Sequence, residues 1–237
     1  YWGWDAVEIS GLLPWLLATA LIHSMYMINR GRAFQRWAVA LAVSIAVLTL
    51  FGILITRSGI LESVHAYTSS AMGPVLTLLV VLHLVASVVL LISGWKWLGD
   101  DQSTPQKNLS GWLLLASNGL LALISLVYLT GQTLPITSEI LFKEKLSFTV
   151  AQYEAYSSPL WMLFALSMAV YPFVYLYSNS RKAFSRSLFY LGLTAALLVI
   201  VLSQFVILKP LSAFSFWVSF SVLLAWVWDL YRRFIKP

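Results

Sequence analysis

Seven long apolar runs divide this chain, roughly at residues 11–28, 35–56, 74–98, 111–130, 158–178, 187–208 and 212–231. A helix needs about 18 or more apolar residues to cross the hydrocarbon core, and a helix satisfies every backbone polar group internally while it does so. The pattern therefore predicts an all-α fold, a polytopic transmembrane helical bundle of about seven spans, forming a single domain over residues 1–237. The connections are short except for residues 131–159, which read as a long outer loop carrying a short amphipathic helix around 138–145 on the membrane surface. Residues 99–105, Gly-Asp-Asp-Gln-Ser-Thr-Pro, read as a flexible inner loop. No internal repeat and no paired broken helices of the transporter kind are visible.

Composition agrees with this pattern. Sixty per cent of the 237 residues are hydrophobic, 10% are charged and the mean hydropathy is +0.83. A water-soluble domain of this size has no core large enough to hide so much apolar surface. The net charge of +6 does not point to nucleic acid, because the basic residues sit in short loops between apolar runs. Arg30, Arg32, Arg36, Lys96, Lys107, Arg181, Lys182, Arg186, Arg232, Arg233 and Lys236 fall on one side; Arg57, Lys143, Lys145 and Lys209 fall on the other. The positive-inside rule puts the second group outside, together with the N-terminal segment and the loops 57–73 and 131–159. With no cysteine, the chain has no disulfide and no haem-attachment site of its own. It opens on Tyr1 without an initiator Met, so any upstream residues have been removed or belong to another polypeptide.

Candidate chemistry is concentrated in three histidines and one aromatic cluster. His23 lies within the first span, where ionisable groups are rare and usually pair with another group or bind metal. A neutral imidazole there is a potential haem axial ligand; the plainer alternative is a hydrogen bond to a neighbouring helix. His65 lies in the outer segment Thr56–Tyr67, where Ser58-Gly59 permits a tight turn and Arg57 stands ready to bind a carboxylate. The plain alternative is a solvated loop histidine beside an interfacial arginine. His83 occupies the middle of the third span, either as a partner of His23 across a buried haem or as a helix-packing hydrogen-bonder. Trp37, Trp95, Trp97, Trp112, Trp226 and Trp228 fit an inner interfacial belt. Trp2 and Trp4 differ from these, being separated by Gly3 and followed by Asp5 and Glu8. They read as a flat aromatic shelf for a porphyrin, with Gly3 allowing close approach, whereas the plain role of Asp5 is to cap the helix that follows.

The segment Trp2-Gly3-Trp4-Asp5-Ala6-Val7-Glu8, with Pro14-Trp15-Leu16 and Thr19-Ala20-Leu21-Ile22-His23-Ser24 after it, resembles the WWD signature and following helix of the CcmF family of cytochrome c maturation haem lyases. Leu54 to Tyr67 resembles that family's outer histidine loop, and Gly131-Gln132-Thr133-Leu134-Pro135 its short motif at the end of a span. The likeness runs loosely along nearly the whole chain. It implies a haem-handling enzyme part that presents haem b on the outer face over the WWD segment (residues 1–10), for covalent attachment to the CxxCH of apocytochrome c. By the same resemblance Trp2, Trp4, Asp5 and Arg57 belong to the haem-binding site, His65 is one of two outer axial ligands, and His23 is one of two ligands of a second haem b within the membrane. It further implies the haem chaperone CcmE, a CcmH-type thiol-handling protein and apocytochrome c as partners, in a bacterial or archaeal cell membrane or the mitochondrial inner membrane.

Ala6 and Ile9 stand where the family usually has Pro and Asn. Two of the four expected axial histidines belong to segments upstream of Tyr1 and beyond Pro237. The chain thus reads as a fragment or as one piece of a split protein whose complementary CcmF segment supplies them; His83 as a substitute inner ligand is the third option. The sister family of CcsA-type cytochrome c synthases also carries a WWD segment, but its histidine loop usually reads differently. Two other readings compete: an exporter of haem or another hydrophobic ligand, and a structural membrane subunit.

Overall fold

The computed structural model describes residues 2–31, 34–61, 72–98, 109–177, 181–204, 206–207 and 210–234. Among these, seven helices account for the secondary structure: α1 (Ala6–Gly31), α2 (Gln35–Ser58), α3 (Gly73–Gly94), α4 (Leu109–Phe142), α5 (Val150–Tyr177), α6 (Arg181–Ser203) and α7 (Pro210–Phe234). All seven are long and apolar enough to cross a membrane, and this is an all-α membrane protein. The chain forms two compact units, residues 1–105 with 121–158, and residues 106–120 with 159–237.

In the first unit α1 packs on α2 and α2 on α3. Ile9, Leu13, Leu16, Ala20 and Ser24 are all buried, recurring every three or four residues, so they form one stripe along α1. Gly52 of α2 lets the two helices close in, since a Cβ there would lie 3.3 Å from the Ser10 carbonyl oxygen. Helix α2 stops at Gly59, which takes φ 68 and forms the left-handed cap that the Ser58-Gly59 pair predicts. Only Gly73 and Ser87 of α3 are buried. Most of its other side chains are apolar and exposed, as suits a helix whose solvent is lipid.

In the second unit α6 packs on α7, around Phe173, Leu191 and Ala225. Polar ties add direction to this packing: the Trp217 indole N–H donates to the Gly192 carbonyl at 3.1 Å, and the buried Ser117 and Ser167 hydroxyls pair at 2.8 Å. Asp229, an acid inside the last span, is 3% exposed and escaped the sequence reading, although a lone carboxylate in an apolar run is itself a signal.

The structure differs most from the sequence pattern at 131–159. Helix α4 continues to Phe142 and α5 begins at Val150, so only residues 143–149 connect them. The amphipathic surface helix expected around 138–145 is not a separate element: its first half is the end of α4. The polar residues that suggested a loop satisfy themselves on the helix. Thr133 Oγ1 donates to the Leu129 carbonyl at 2.8 Å, Thr137 Oγ1 to Thr133 at 3.0 Å, and Ser138 Oγ to Pro135 at 3.3 Å. Helix α5 starts early because Thr149 and Gln152 form a reciprocal cap, with Thr149 N–H donating to Gln152 Oε1 at 2.8 Å and Gln152 N–H to Thr149 Oγ1 at 3.3 Å.

Candidate functional site: the cavity under the N-terminal tryptophans

The N-terminal segment is built around Trp4, whose φ of 57 is a left-handed conformation that a bulky side chain rarely adopts. Holding it there costs about 1–3 kcal/mol, so the surroundings must fix it. One carboxylate oxygen, Glu8 Oε2, accepts from the Gly3 N–H at 2.9 Å and the Asp5 N–H at 3.1 Å, clasping the residues on either side of Trp4. Asp5 Oδ2 in turn accepts from Val7 N–H at 3.2 Å, and the Asp5 carbonyl takes the first helical bond from Ile9 at 3.0 Å. Asp5 and Glu8 are therefore a capping box, and the capping role expected of Asp5 is present.

Aromatic packing completes the clasp. The Trp4 indole stacks on Tyr153 at 5.4 Å between centroids and 2° between planes, and leans on the fully buried Tyr128 at 5.5 Å. Trp2 meets Trp4 edge-on, at 6.0 Å and 86°. The two tryptophans therefore do not make one flat shelf: one face of Trp4 is taken by Tyr153, and Trp2, 48% exposed, is the outward ring. Tyr153 fits only because residue 131 is glycine; a Cβ there would lie within 2.6 Å of Tyr153 Cζ.

Next to this stack is a cavity of about 380 Å³ lined by residues of the first unit, among them Trp4, Leu61, Gln132, Lys145, Phe148 and Tyr153. That volume is within the range of small-molecule sites. Three segments far apart in sequence meet here: the WWD segment through Trp4 and Ala6, the start of the histidine loop through Ile60 and Leu61, and the short motif through Gly131, Gln132 and Pro135. Gln132 is 2% exposed; its Nε2 donates to the Ala6 carbonyl at 2.8 Å, binding α4 to the WWD segment. Its Oε1 is buried with no hydrogen-bond partner among the described residues. Nothing but the motif itself marked Gln132 in the sequence, and nothing marked Tyr128, Phe148 or Tyr153.

The other residues singled out from sequence are scattered. Arg57 is exposed in the last turn of α2, where a cation suits the helix C-terminus, and it is not one of the cavity's lining residues. His65, together with the rest of loop 62–71, lies outside the described residues. His23 is half-buried on α1 with its Nδ1 shielded, next to Ser24 of the buried stripe. His83 is half-buried on α3, one turn before Ser87 on the same face. A second groove of about 410 Å³ in the first unit is almost wholly apolar, and no histidine is among its described lining residues.

The residues of the first cavity suit the edge of a haem. They supply stacked aromatic rings and an apolar wall for the macrocycle and one cation for a carboxylate. Among the described lining residues none is a histidine; the described lining includes Leu61, four residues before His65 in sequence.

Residues 1–61 match the model of a family described as Cytochrome C assembly protein. The cytochrome c-type biogenesis protein CcmF of Escherichia coli (strain K12) is 34% identical over 179 residues, which are 73% of this chain and 27% of that protein. CcmF of Pseudomonas fluorescens is 33% identical over 72% of this chain and 26% of its own length. The probable cytochrome c-type biogenesis protein NrfE of Escherichia coli (strain K12) is 33% identical over 73% of this chain and 32% of its own. The chain thus spans about a quarter to a third of the length of these curated relatives. No solved structure matches it. By its motifs and these likenesses, the chain belongs to the CcmF-type family of cytochrome c-type biogenesis proteins.

Proposed function

We propose that this chain is the haem-presenting part of a cytochrome c haem lyase, acting in cytochrome c maturation. The observation that carries the reading is the convergence of the WWD segment, the root of the histidine loop and the Gly131–Pro135 motif on one aromatic-walled cavity. Haem bound there would supply an iron centre and two vinyl groups, across whose double bonds the thiols of a CxxCH segment add as S–H without net redox change. The contribution of this chain is positioning. Trp4, clamped by Glu8 and stacked on Tyr153, forms a rigid wall and Trp2 offers the exposed ring; His65 would hold the haem iron. His23 would hold a second haem b within the membrane, with a complementary CcmF segment as the partner that completes both sites. The charge distribution of the loops supports a periplasmic, or topologically equivalent, position for the WWD segment. A haem chaperone of the CcmE type delivers the haem, and a CcmH-type protein presents the apocytochrome c thiols.

The test is haem content and holocytochrome yield in cells carrying His65→Ala or His23→Ala. His65→Ala should lose the outer haem and the yield while retaining membrane haem, and His23→Ala should lose membrane haem. Unchanged haem and yield in both variants would sink the reading.

A further inference from the structure

The sequence offers Arg57 as the cation for a carboxylate, but the cavity is lined by Lys145 instead. The position of Lys145 is fixed by the short strap between α4 and α5. Lys143, with φ 62, takes the left-handed conformation that ends α4, and its N–H still reaches the Glu139 carbonyl at 3.1 Å. The chain then folds back, and the Leu146 N–H donates to the hydroxyl of the buried Ser138 at 2.9 Å. Phe148 packs edge-on against Tyr153 at 5.3 Å, and the Thr149–Gln152 cap closes the strap. Lys145 is thus held between pinned neighbours. Among the described residues its ammonium meets one loose acidic partner, Glu139 Oε2 at 3.6 Å, with both side chains more than half exposed. Such a surface pair contributes little and exchanges readily.

We infer that Lys145 is the anchoring cation of this cavity, leaving Glu139 to take a carboxylate of the ligand. This rests on the haem reading, under which that carboxylate is a propionate. Arg57 then has no part in carboxylate selection.

The experiment titrates the intact protein in detergent with haem and with haem esterified at both propionates, following the absorption spectrum. Wild type should bind haem about fivefold to tenfold more tightly than the diester, the size expected of one charge-assisted hydrogen bond to a partly exposed cation. Lys145→Gln should abolish that preference without weakening diester binding, Lys145→Arg should restore it, and Arg57→Gln should leave it intact. A preference that survives Lys145→Gln, or one that vanishes in Arg57→Gln, overturns the assignment while leaving the haem reading standing. Failure of wild type to bind either form overturns both.

Discussion

Trp4 concentrates the local physics of the site. A tryptophan in the left-handed region is maintained because Glu8 satisfies two amides at once and Tyr153 covers one indole face. Glu8→Ala removes that acceptor and should cost about 1–2 kcal/mol, seen as a lower Tm with a changed near-ultraviolet tryptophan signal. Glu8→Gln keeps an acceptor oxygen and should retain most of the stability. Gly131→Ala should destabilise by about 1–3 kcal/mol, because the new methyl group meets the Tyr153 ring. A Gly131→Ala, Tyr153→Leu double variant should recover part of the loss; strictly additive losses in a double-mutant cycle would contradict the contact. The sequence displayed half of this arrangement. Asp5 ahead of an apolar run reads as a helix cap, whereas the role of Glu8 came from the structure and no spacing rule links residues 4, 131 and 153.

At the scale of elements, the decisive feature is the extension of α4 past Pro135. The proline removes one backbone donor, and the polar run 132–139 resembles a loop, yet α4 runs on to Phe142 with its hydroxyls satisfied by carbonyls of the same helix. This brings Ser138 to where it anchors the strap at Leu146. Ser138→Ala should cost about 1 kcal/mol and speed amide exchange in 143–149 while leaving α3 unaffected. If exchange in the strap were unchanged, Ser138 would not be its anchor. Pattern reading placed the apolar body of each span well, because a lipid-facing helix must be apolar whatever its neighbours are. It failed at the ends of α4 and α5, where a polar stretch stays helical with its side chains satisfied locally on α4 and by the Thr149–Gln152 cap on α5.

For the whole molecule, the distribution of cations predicts a sidedness open to direct measurement. The natural chain has no cysteine, so single introduced thiols report without background. Ser147→Cys should react with a membrane-impermeant maleimide added to intact cells, and Trp97→Cys only after permeabilisation. The reverse result would invert the assigned orientation.

What the sequence determined by itself is the class of molecule and the identity of its motifs. Apolar length and loop charge are one-dimensional properties, read directly against a bilayer that imposes them. The tertiary structure decided which residues share a space. It placed Gln132 and Lys145 in the cavity, kept Arg57 out of its lining, and turned the expected Trp2–Trp4 shelf into two perpendicular rings. These outcomes depend on close contacts between segments more than a hundred residues apart, such as Gln132 Nε2 to the Ala6 carbonyl. Periodicity along a helix describes each face but does not name its partner; packing does, because only one arrangement fills the space and satisfies the buried polar groups together.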